Sequence, residues 1–537
     1  MIRRVLLLIL LLAGCQLAPA PTAPPPSPEA ATQAAATTRP ASATQSPNLT
    51  ENANTANAVS TTAEAASTAG ATPMPETGLL AWMSTGADPT HAKGGQIALL
   101  DRAGKVSPLV QVPNGATHIT SCGDDATSPD SRYYAFFVGD DSGTLYLMDA
   151  AQAPQQVDTV SYLDCLTAFH YAPDGRRFGF IDFPANATRS DYAAGTLRLF
   201  SSASIQQTAQ FDNVVAFNLT ASGAVFVSFF ANSKNEADEA SVSVWDGTNQ
   251  REIVSLVPTE ANCRFTSAQI GMAGTQYLTM LGQRCTTGDT SPHWQLYAVD
   301  PGGDSATLIA TDAQPAAFVT FARTNNLYFA PNGSTAYFTV PDAVTAYTVA
   351  VAALDLKDYS ISVPVDRQAV FPNYSGAPNA FPRRSPDGRW LAMVITSPDS
   401  ENQLLALDLN SPNADPITGS PRSRGNLIPD LAFTPDSRRV LYIAGGVDNA
   451  LYALDLKSGT EQRIVRGNFA EGMALASDGR TVALLNNAHV DDPAQPAYVN
   501  LVLADLNGET LTTLYPGADV VNGKVSNLRF AYPLTWR

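Results

Sequence analysis

Acidic side chains stand close together in several short polar segments, where they could bind calcium or a cationic partner. The acidic residues that stand out are Asp140, Asp141, Glu236, Asp238, Glu239, Asp491 and Asp492. Ca²⁺ takes about six to eight oxygen ligands, which these segments could supply only if the fold brought them together. The alternative is a set of solvated loops that keep the protein soluble.

The sequence has no linear signature of an enzyme. It lacks a G-x-S-x-G elbow, a P-loop and a dinucleotide-binding fingerprint. The five histidines are scattered: His91, His118, His170, His293 and His489. His118 and His170 are expected at different distances from their turns, so no shared metal is expected there. Ligands gathered from distant loops would leave no linear motif, so an enzyme remains an open alternative.

Four cysteines lie beyond the N-terminal segment, and an even number in an exported chain favours disulfides. Cys263 and Cys285 are equally distant from Gly274, the centre of a predicted turn, so an antiparallel hairpin would place them opposite each other. Cys122 and Cys165 stand near the starts of corresponding strands in neighbouring repeats, which predicts a second disulfide. Zinc binding is the competing interpretation, but no CxxC or nearby His pair accompanies these residues.

The N-terminus has the pattern of an export signal. Arg3 and Arg4 precede an apolar run at 5–12 that is too short to span a bilayer. The tetrapeptide LAGC at 12–15 resembles the lipobox of bacterial lipoproteins. The resemblance implies that Cys15 is acylated, which would anchor the chain outside the cytoplasm, in the cell membrane or the outer membrane.

Composition divides the chain into a signal peptide (1–14), a lipidated Cys with its tether (15–77) and a folded region (78–537). Residues 16–77 contain no Phe, Tyr, Trp or Ile and are rich in Ala, Pro, Thr and Ser. Such a segment buries too little apolar surface to offset its ordering entropy, so we expect a disordered tether. Its root-mean-square span is roughly 45 Å.

The net charge of −17 argues against nucleic acid as a partner, because phosphates would be repelled. It argues equally against electrostatic docking on anionic lipid, so membrane contact is expected through the N-terminal lipid alone.

A short phrase recurs in the folded region. It reads TSPDSRY at 127–133, YAPDGRR at 171–177, FAPNGST at 329–335, RSPDGRW at 384–390, FTPDSRR at 433–439 and LASDGRT at 475–481. An apolar run follows each phrase, and a second run that usually ends in Asp comes next. These runs predict strands, and the spacing of about 42 to 59 residues suits four strands per unit.

Each residue of the phrase has a predicted role in a turn. Pro suits the second position of a type I turn, and a small residue accepts the left-handed conformation that closes it. These small residues are Ser131, Gly175, Gly223, Gly274, Gly333, Gly388, Ser437 and Gly479. The phrase is therefore interpreted as structural, not catalytic.

The unit of SPDGR, apolar strand and LxxxDL resembles the repeat of TolB-like β-propellers, which are relatives of WD-repeat proteins. The resemblance implies an all-β fold, a single propeller over 78–537 of about eight four-stranded blades, with seven or nine as alternatives. We suspect an insertion in the irregular 310–360 region. Segments 79–110 and 525–537 are expected to share one blade and close the ring.

Chain direction places the loops on two faces of such a ring. The phrase turns and the Asp-ended turns should lie on one face, and the second-to-third strand connections on the other. Eight of these connections hold thirteen Asp or Glu against three Arg or Lys, which predicts an acidic rim. This rim contains the seven acidic residues named above.

The resemblance is informative about fold and nearly silent on function. Our leading hypothesis is a non-enzymatic, monomeric module that binds an envelope or extracellular protein, peptide or glycan. No cofactor is expected unless the acidic rim binds Ca²⁺. The alternative is a lactonase-like hydrolase with a carboxylate-held metal in the central funnel.

Overall fold

The computed structural model describes residues 78–536 apart from internal segments. The longer of these are 87–93, 113–117, 122–125, 162–168, 185–193, 232–236, 286–291, 312–326, 342–347, 371–382, 397–401, 421–427, 445–448 and 489–493. The chain divides into Met1–Gly70 and Ala71–Arg537, and every described residue lies in the second unit. The predicted signal peptide, Cys15 and the predicted tether therefore fall outside the described residues. Among the described residues, no helix is long and apolar enough to cross a membrane.

Within this described part the chain forms 37 β-strands and no α-helix. In chain order they are β1 Leu79–Thr85, β2 Gly95–Leu100, β3 Val106–Val112, β4 His118–Ser121, β5 Tyr133–Gly139, β6 Gly143–Asp149, β7 Gln155–Val160, β8 Phe169–Tyr171, β9 Arg177–Asp182, β10 Gly195–Ser201, β11 Gln207–Leu219, β12 Ala224–Ala231, β13 Ala237–Trp245, β14 Gln250–Leu256, β15 Cys263–Ala273, β16 Gln276–Cys285, β17 Pro292–Val299, β18 Ala306–Thr311 and β19 Leu327–Phe329. The remainder are β20 Thr335–Pro341, β21 Thr348–Asp355, β22 Ile361–Val370, β23 Arg383–Arg384, β24 Trp390–Thr396, β25 Asn402–Asp408, β26 Ile417–Thr418, β27 Leu431–Phe433, β28 Arg439–Ala444, β29 Ala450–Asp455, β30 Glu461–Arg466, β31 Phe469–Leu475, β32 Thr481–Ala488, β33 Tyr498–Asp505, β34 Leu511–Tyr515, β35 Asp519–Val521, β36 Lys524–Ser526 and β37 Arg529–Trp536.

The described strands form nine four-stranded antiparallel blades. Blade 1 combines β37 with β1–β3, and blade 2 contains β4–β7. Blades 3 and 4 share β11, whose first half pairs with β10 and whose second half pairs with β12. Blade 5 is β15–β18, blade 6 is β19–β22, blade 7 is β23–β26, blade 8 is β27–β30 and blade 9 is β31–β34. The β35–β36 hairpin lies between blade 9 and β37.

Nine is the highest of the three blade counts left open by the sequence, one more than the eight that were expected. The difference lies in the region suspected of being an insertion. Strands β19–β22 there form a regular meander that pairs like the others. This region is a blade whose repeat signal is weak.

The ring closes by pairing the two ends of the folded region. Strand β37 pairs antiparallel with β1, as predicted from segments 79–110 and 525–537. The indole N–H of Trp536 donates to the carbonyl of Ala474 in blade 9, over 2.9 Å. Arg102 of blade 1 forms an ion pair of 2.7 Å with Asp478 of blade 9. Segments from both ends of the folded region therefore contact the last blade.

Apolar layers lie between neighbouring blades because the central strands are apolar on both faces. In β28, Val440 and Tyr442 pack toward blade 7, whereas Leu441 and Ile443 pack toward blade 9. Seven such clusters connect the blades around the ring, and one of the seven joins blade 9 back to blade 1. Burying one Leu or Ile side chain contributes about 1.5–3 kcal/mol, so these layers are the main source of stability.

The recurring phrase forms the turn between the first and second strands of a blade. Gly175, Gly333, Gly388, Ser437 and Gly479 have φ between 56° and 72°, the left-handed region predicted for them. Ser131 and Gly274 lie outside the described residues.

Gly223 does not adopt the predicted left-handed conformation, so that prediction is wrong at this position. Its turn, Thr220–Gly223, lacks the Pro-Asp pair and is closed instead by the Thr220 hydroxyl, which accepts the Gly223 N–H over 2.8 Å. A Cβ at Gly223 would lie 1.7 Å from the carbonyl oxygen of Trp245. Close approach of the backbone, not φ, requires glycine here.

Strand direction defines two faces. The turn face carries the first-to-second turns, such as 434–439, and the Asp-ended third-to-fourth turns, such as 455–460. The loop face lies at the opposite strand ends and carries the second-to-third connections, such as 183–194. This sorting follows from antiparallel pairing within every blade.

Candidate ligand site on the loop face

Carboxylates of the turn face bond to their own turns. Asp436 accepts the hydroxyl of Thr434 over 2.7 Å and the backbone N–H of Arg438 over 3.1 Å. The hydrogen bond from Thr434, ahead of the opposing effect of burial, lowers the pKa of Asp436 below its usual value. Asp387 bonds in the same way to Ser385 and to the N–H of Arg389. These contacts support the structural interpretation of the phrase.

Two residues of the predicted acidic rim are described, Asp238 and Glu239, near the start of β13. Glu239 is exposed and accepts the hydroxyl of Ser255 over 2.5 Å. The other five lie outside the described residues: Asp140, Asp141, Glu236, Asp491 and Asp492. The rim as a calcium or partner site therefore remains a prediction. No three metal-binding side chains converge among the residues that the structure describes.

One predicted disulfide can be examined. Cys263 and Cys285 face each other across β15 and β16 and are joined by a disulfide. Both lie at the loop-face ends of their strands. Cys122 and Cys165 fall outside the described residues. Of the two histidines considered for a shared metal, His170 is buried with its ring 4.9 Å from that of Phe217.

A polar pocket of about 520 Å³ opens on the loop face between blades 2 and 3. It is lined by Ser161, Asp182, Phe183, Pro184, Ala194, Gly195, Thr196, Asp212 and Asn213. They come from the end of β7, the connection between β9 and β10, and the middle of β11.

The backbone of the pocket has two special positions. Asn213 has φ of 61°, in the left-handed region that Asn tolerates better than most residues. It stands where β11 leaves blade 3 for blade 4, so the chain turns there without a loop. At Gly195 a Cβ would lie 2.5 Å from Ile181 and 2.6 Å from the carbonyl oxygen of Asp182. Glycine therefore allows β10 to begin close against β9.

One wall of the pocket is fixed by an arginine between two carboxylates. Arg198 donates to Asp158 of blade 2 over 2.5 Å and to Asp182 of blade 3 over 2.9 Å. The second oxygen of Asp182 accepts the backbone N–H of Ser161 over 2.7 Å. The Asp182 side chain is only 9% exposed, so its ion pair with Arg198 within blade 3 is shielded from solvent. In the cross-blade pair the Arg198 and Asp158 side chains are 23% and 28% exposed. The pair with Asp158 joins the two blades at the loop face.

The polar groups of the opposite wall make fewer hydrogen bonds. Asp212 and Asn213 are exposed. One carboxylate oxygen of Asp212 accepts the Thr196 hydroxyl over 3.2 Å. Among the described residues, no partner is found for its second oxygen or for the Asn213 amide. These groups can therefore bind a ligand without breaking an existing bond.

One carboxyl at the loop-face end of blade 8 is buried, unlike the exposed carboxylate of Asp212. Asp430 is buried just before β27, and burial raises its pKa to about 6. Arg383 and the backbone N–H groups of Leu431, Gly472 and Met473 oppose that rise. Because Gly472 and Met473 belong to β31, Asp430 links the innermost strands of blades 8 and 9.

The pocket residues were not predicted from the sequence. The connections between second and third strands were expected on this face, but Ser161, Asp212 and Asn213 carry no local motif. Three distant segments form this site, and only the pairing of β9, β10 and β11 brings them together. The Asn at a strand corner is the one local signal that could have been noticed.

No family model and no curated protein matches the chain. Among solved structures it is similar to the C-terminal WD40 domain of Sif2, with 12% identity over 72% of this chain and 94% of that one, at a TM-score of 0.40. It is similar to an oligogalacturonate lyase from Vibrio parahaemolyticus, with 11% identity, 80% and 97% coverage and a TM-score of 0.38. TolB from Acinetobacter baumannii gives 14% identity, 58% and 82% coverage and a TM-score of 0.23.

WD40 and TolB propellers are thus among the structures that the chain resembles, as its repeat predicted. The fold itself follows from the strand pairing: the chain is an all-β propeller of four-stranded blades closed by its first and last strands.

Proposed function

We propose that this chain is a lipid-anchored, extracytoplasmic propeller whose loop face binds an envelope or extracellular protein, peptide or glycan. Acylated Cys15 anchors it, the segment 16–77 keeps the propeller clear of the lipid, and the loop face performs the recognition. Binding, without bond-making chemistry, is the function.

The loop-face pocket is the observation that carries this proposal. Its volume lies within the range of about 300–1,000 Å³ typical of ligand pockets, and it presents unpaired polar groups to solvent. The turn face offers less, because its carboxylates are engaged by their own turns. The Cys263–Cys285 disulfide is consistent with an oxidising compartment outside the cytoplasm.

Anchoring is tested by metabolic labelling with palmitate in cells that express the full chain. Wild type should carry the label and fractionate with membranes. Cys15→Ser should lose the label and leave the membrane fraction. Label that survives the substitution would refute lipid attachment at Cys15.

Binding is tested by capture from solubilised envelope on the immobilised propeller. One dominant ligand should be recovered by the wild type and lost when Asp212→Asn alters the pocket. Metal analysis of the same preparation separates binding from catalysis. Stoichiometric, tightly held metal would favour the lactonase-like alternative and contradict a purely binding function.

A further inference from the structure

The charges of the loop-face pocket are largely neutralised from within. Arg198 lies between Asp158 and Asp182, and both oxygens of Asp182 are already engaged. Asp212 is therefore the one lining carboxylate with an unengaged oxygen among the described residues. A calcium ion needs about six to eight oxygens, so this pocket does not suit it.

The polar groups of the pocket that have hydrogen-bonding capacity left include both donors and acceptors. Asp212 accepts, the Asn213 amide donates and accepts, and the Ser161 and Thr196 hydroxyls retain lone pairs. A hydroxyl group both donates and accepts, so neighbouring hydroxyls of one ligand match this pattern. The apolar lining is small, with Phe183 as its one aromatic residue, so no deep pocket for a large apolar peptide anchor is formed.

From this arrangement we propose that the pocket binds an uncharged carbohydrate through Asp212 and Asn213, with Ser161 and Thr196 as secondary contacts. This inference rests on the proposed binding function and names its ligand class. The exposed carboxylate of Asp212 and the net charge of −17 disfavour acidic sugars. An N-acetylated or neutral sugar unit meets no such repulsion.

The test is calorimetric titration of the folded propeller with chitotriose, cellotriose and trigalacturonate. Chitotriose or cellotriose should bind, and trigalacturonate should bind at least about tenfold more weakly. Isolated peptidoglycan sacculi form a second arm, assayed by co-sedimentation. Binding to the soluble trimers supports an uncharged sugar as the ligand, whereas binding to sacculi alone would contradict it, because the peptide stems of peptidoglycan carry carboxylates.

Two variants locate the binding site. Asp212→Asn replaces the unengaged acceptor by a donor and should weaken binding about tenfold or more, as expected for a lost hydrogen bond to a charged group. Asn213→Gly removes the amide while keeping the left-handed backbone, and should weaken binding about fivefold. Asp174→Asn is the matched control, because it makes the same charge change in blade 3 on the turn face.

Outcomes separate this inference from the function on which it rests. If neither trimer nor sacculi binds while wild type still captures an envelope protein, the carbohydrate class is wrong and the binding function stands. If trigalacturonate binds as tightly as the neutral trimers, the charge argument is wrong. If nothing binds in either experiment, both proposals fail. Melting curves establish that each variant is folded, and Asn213→Gly remains informative if Asp212→Asn is not.

Discussion

Asp430 and Asp436 stand at opposite ends of the same short strand, β27, and their carboxyl groups differ sharply. At the turn-face end, hydrogen bonds from Thr434 and the Arg438 backbone lower the pKa of Asp436. At the loop-face end, burial raises the pKa of Asp430 to about 6. On the turn face the same local contact recurs, in which an Asp carboxylate accepts hydrogen bonds from its own turn. The loop face is held by individual contacts between distant residues.

The two faces are therefore stabilised in different ways, by local contacts on the turn face and by long-range contacts on the loop face. A turn whose hydrogen bonds are all local can be repeated in every blade, whatever residues the neighbouring blades contain. A contact between two blades depends on particular residues at one place in the ring. Polar groups beside such a contact can remain free to bind a ligand.

Loss of the disulfide should have the largest effect. Replacing Cys263 and Cys285 by Ser removes a cross-link between residues 22 positions apart. In the chain-entropy model, a cross-link of this span contributes about 3 kcal/mol to stability. The free energy of unfolding, from urea denaturation without reductant, should fall by that order. An unchanged midpoint would show that the hairpin alone holds the loop-face end of blade 5.

Asp430→Asn should stabilise the protein at neutral pH. The raised pKa means that the folded state binds the proton more tightly than the unfolded chain. The carboxyl therefore destabilises the fold progressively as pH rises from about 4 to about 6, and by about 3 kcal/mol at pH 7. The neutral amide should remove this cost, with a gain roughly half as large at pH 5.

Urea midpoints of wild type and Asp430→Asn at pH 5 and pH 7 provide the measurement. Asp436→Asn is the control at the other end of β27, and it should destabilise at pH 7 because its lowered pKa favours the ionised form in the folded state. Destabilisation by Asp430→Asn at pH 7 would mean that ionised Asp430 strengthens the junction of blades 8 and 9.

Arginine ion pairs should differ between the two faces. Arg198→Met leaves Asp158 and the shielded Asp182 without their cation and should cost about 2 kcal/mol. Arg389→Met, on the turn face, breaks a pair with Asp408 in which the arginine is 48% exposed, and should cost about 1 kcal/mol or less. Equal losses in thermal or urea unfolding would contradict the proposed contrast.

Backbone strain should give the smallest effect. Gly479→Ala places a Cβ at φ of 64°, with its nearest neighbour at an ordinary 3.5 Å, and should cost about 1 kcal/mol. On the loop face, Asn213→Gly keeps a conformation glycine accepts and should change stability by no more than about 0.5 kcal/mol. A larger loss at Asn213 would indicate that its amide has a structural role.

The sequence predicted those parts of the fold that depend on local, repeated chemistry. The turns at Gly388 and Ser437, the strands that follow them and the closure of the ring by the terminal segments all follow from pattern and spacing. The Cys263–Cys285 pair was predictable for the same reason, because hairpin symmetry fixes its register.

The rest depends on contacts between blades, which no local pattern encodes. The pairing of Arg198 with Asp158 joins residues 40 positions apart. The corner at Asn213 brings Asp212 beside Thr196 only because β10 and β11 pair with a register shift. The blade count was underestimated because the irregular 310–360 region was suspected of being an insertion, whereas strands β19–β21 of blade 6 lie there.

We propose that the turn face stabilises the ring and that the loop face binds the ligand. Hydrogen–deuterium exchange of the propeller, free and with bound envelope ligand, separates the two roles. Exchange should slow in peptides covering 155–161, 180–184 and 194–214 and stay unchanged in the turns at 434–439 and 476–481. Slowed exchange confined to those turns would contradict it.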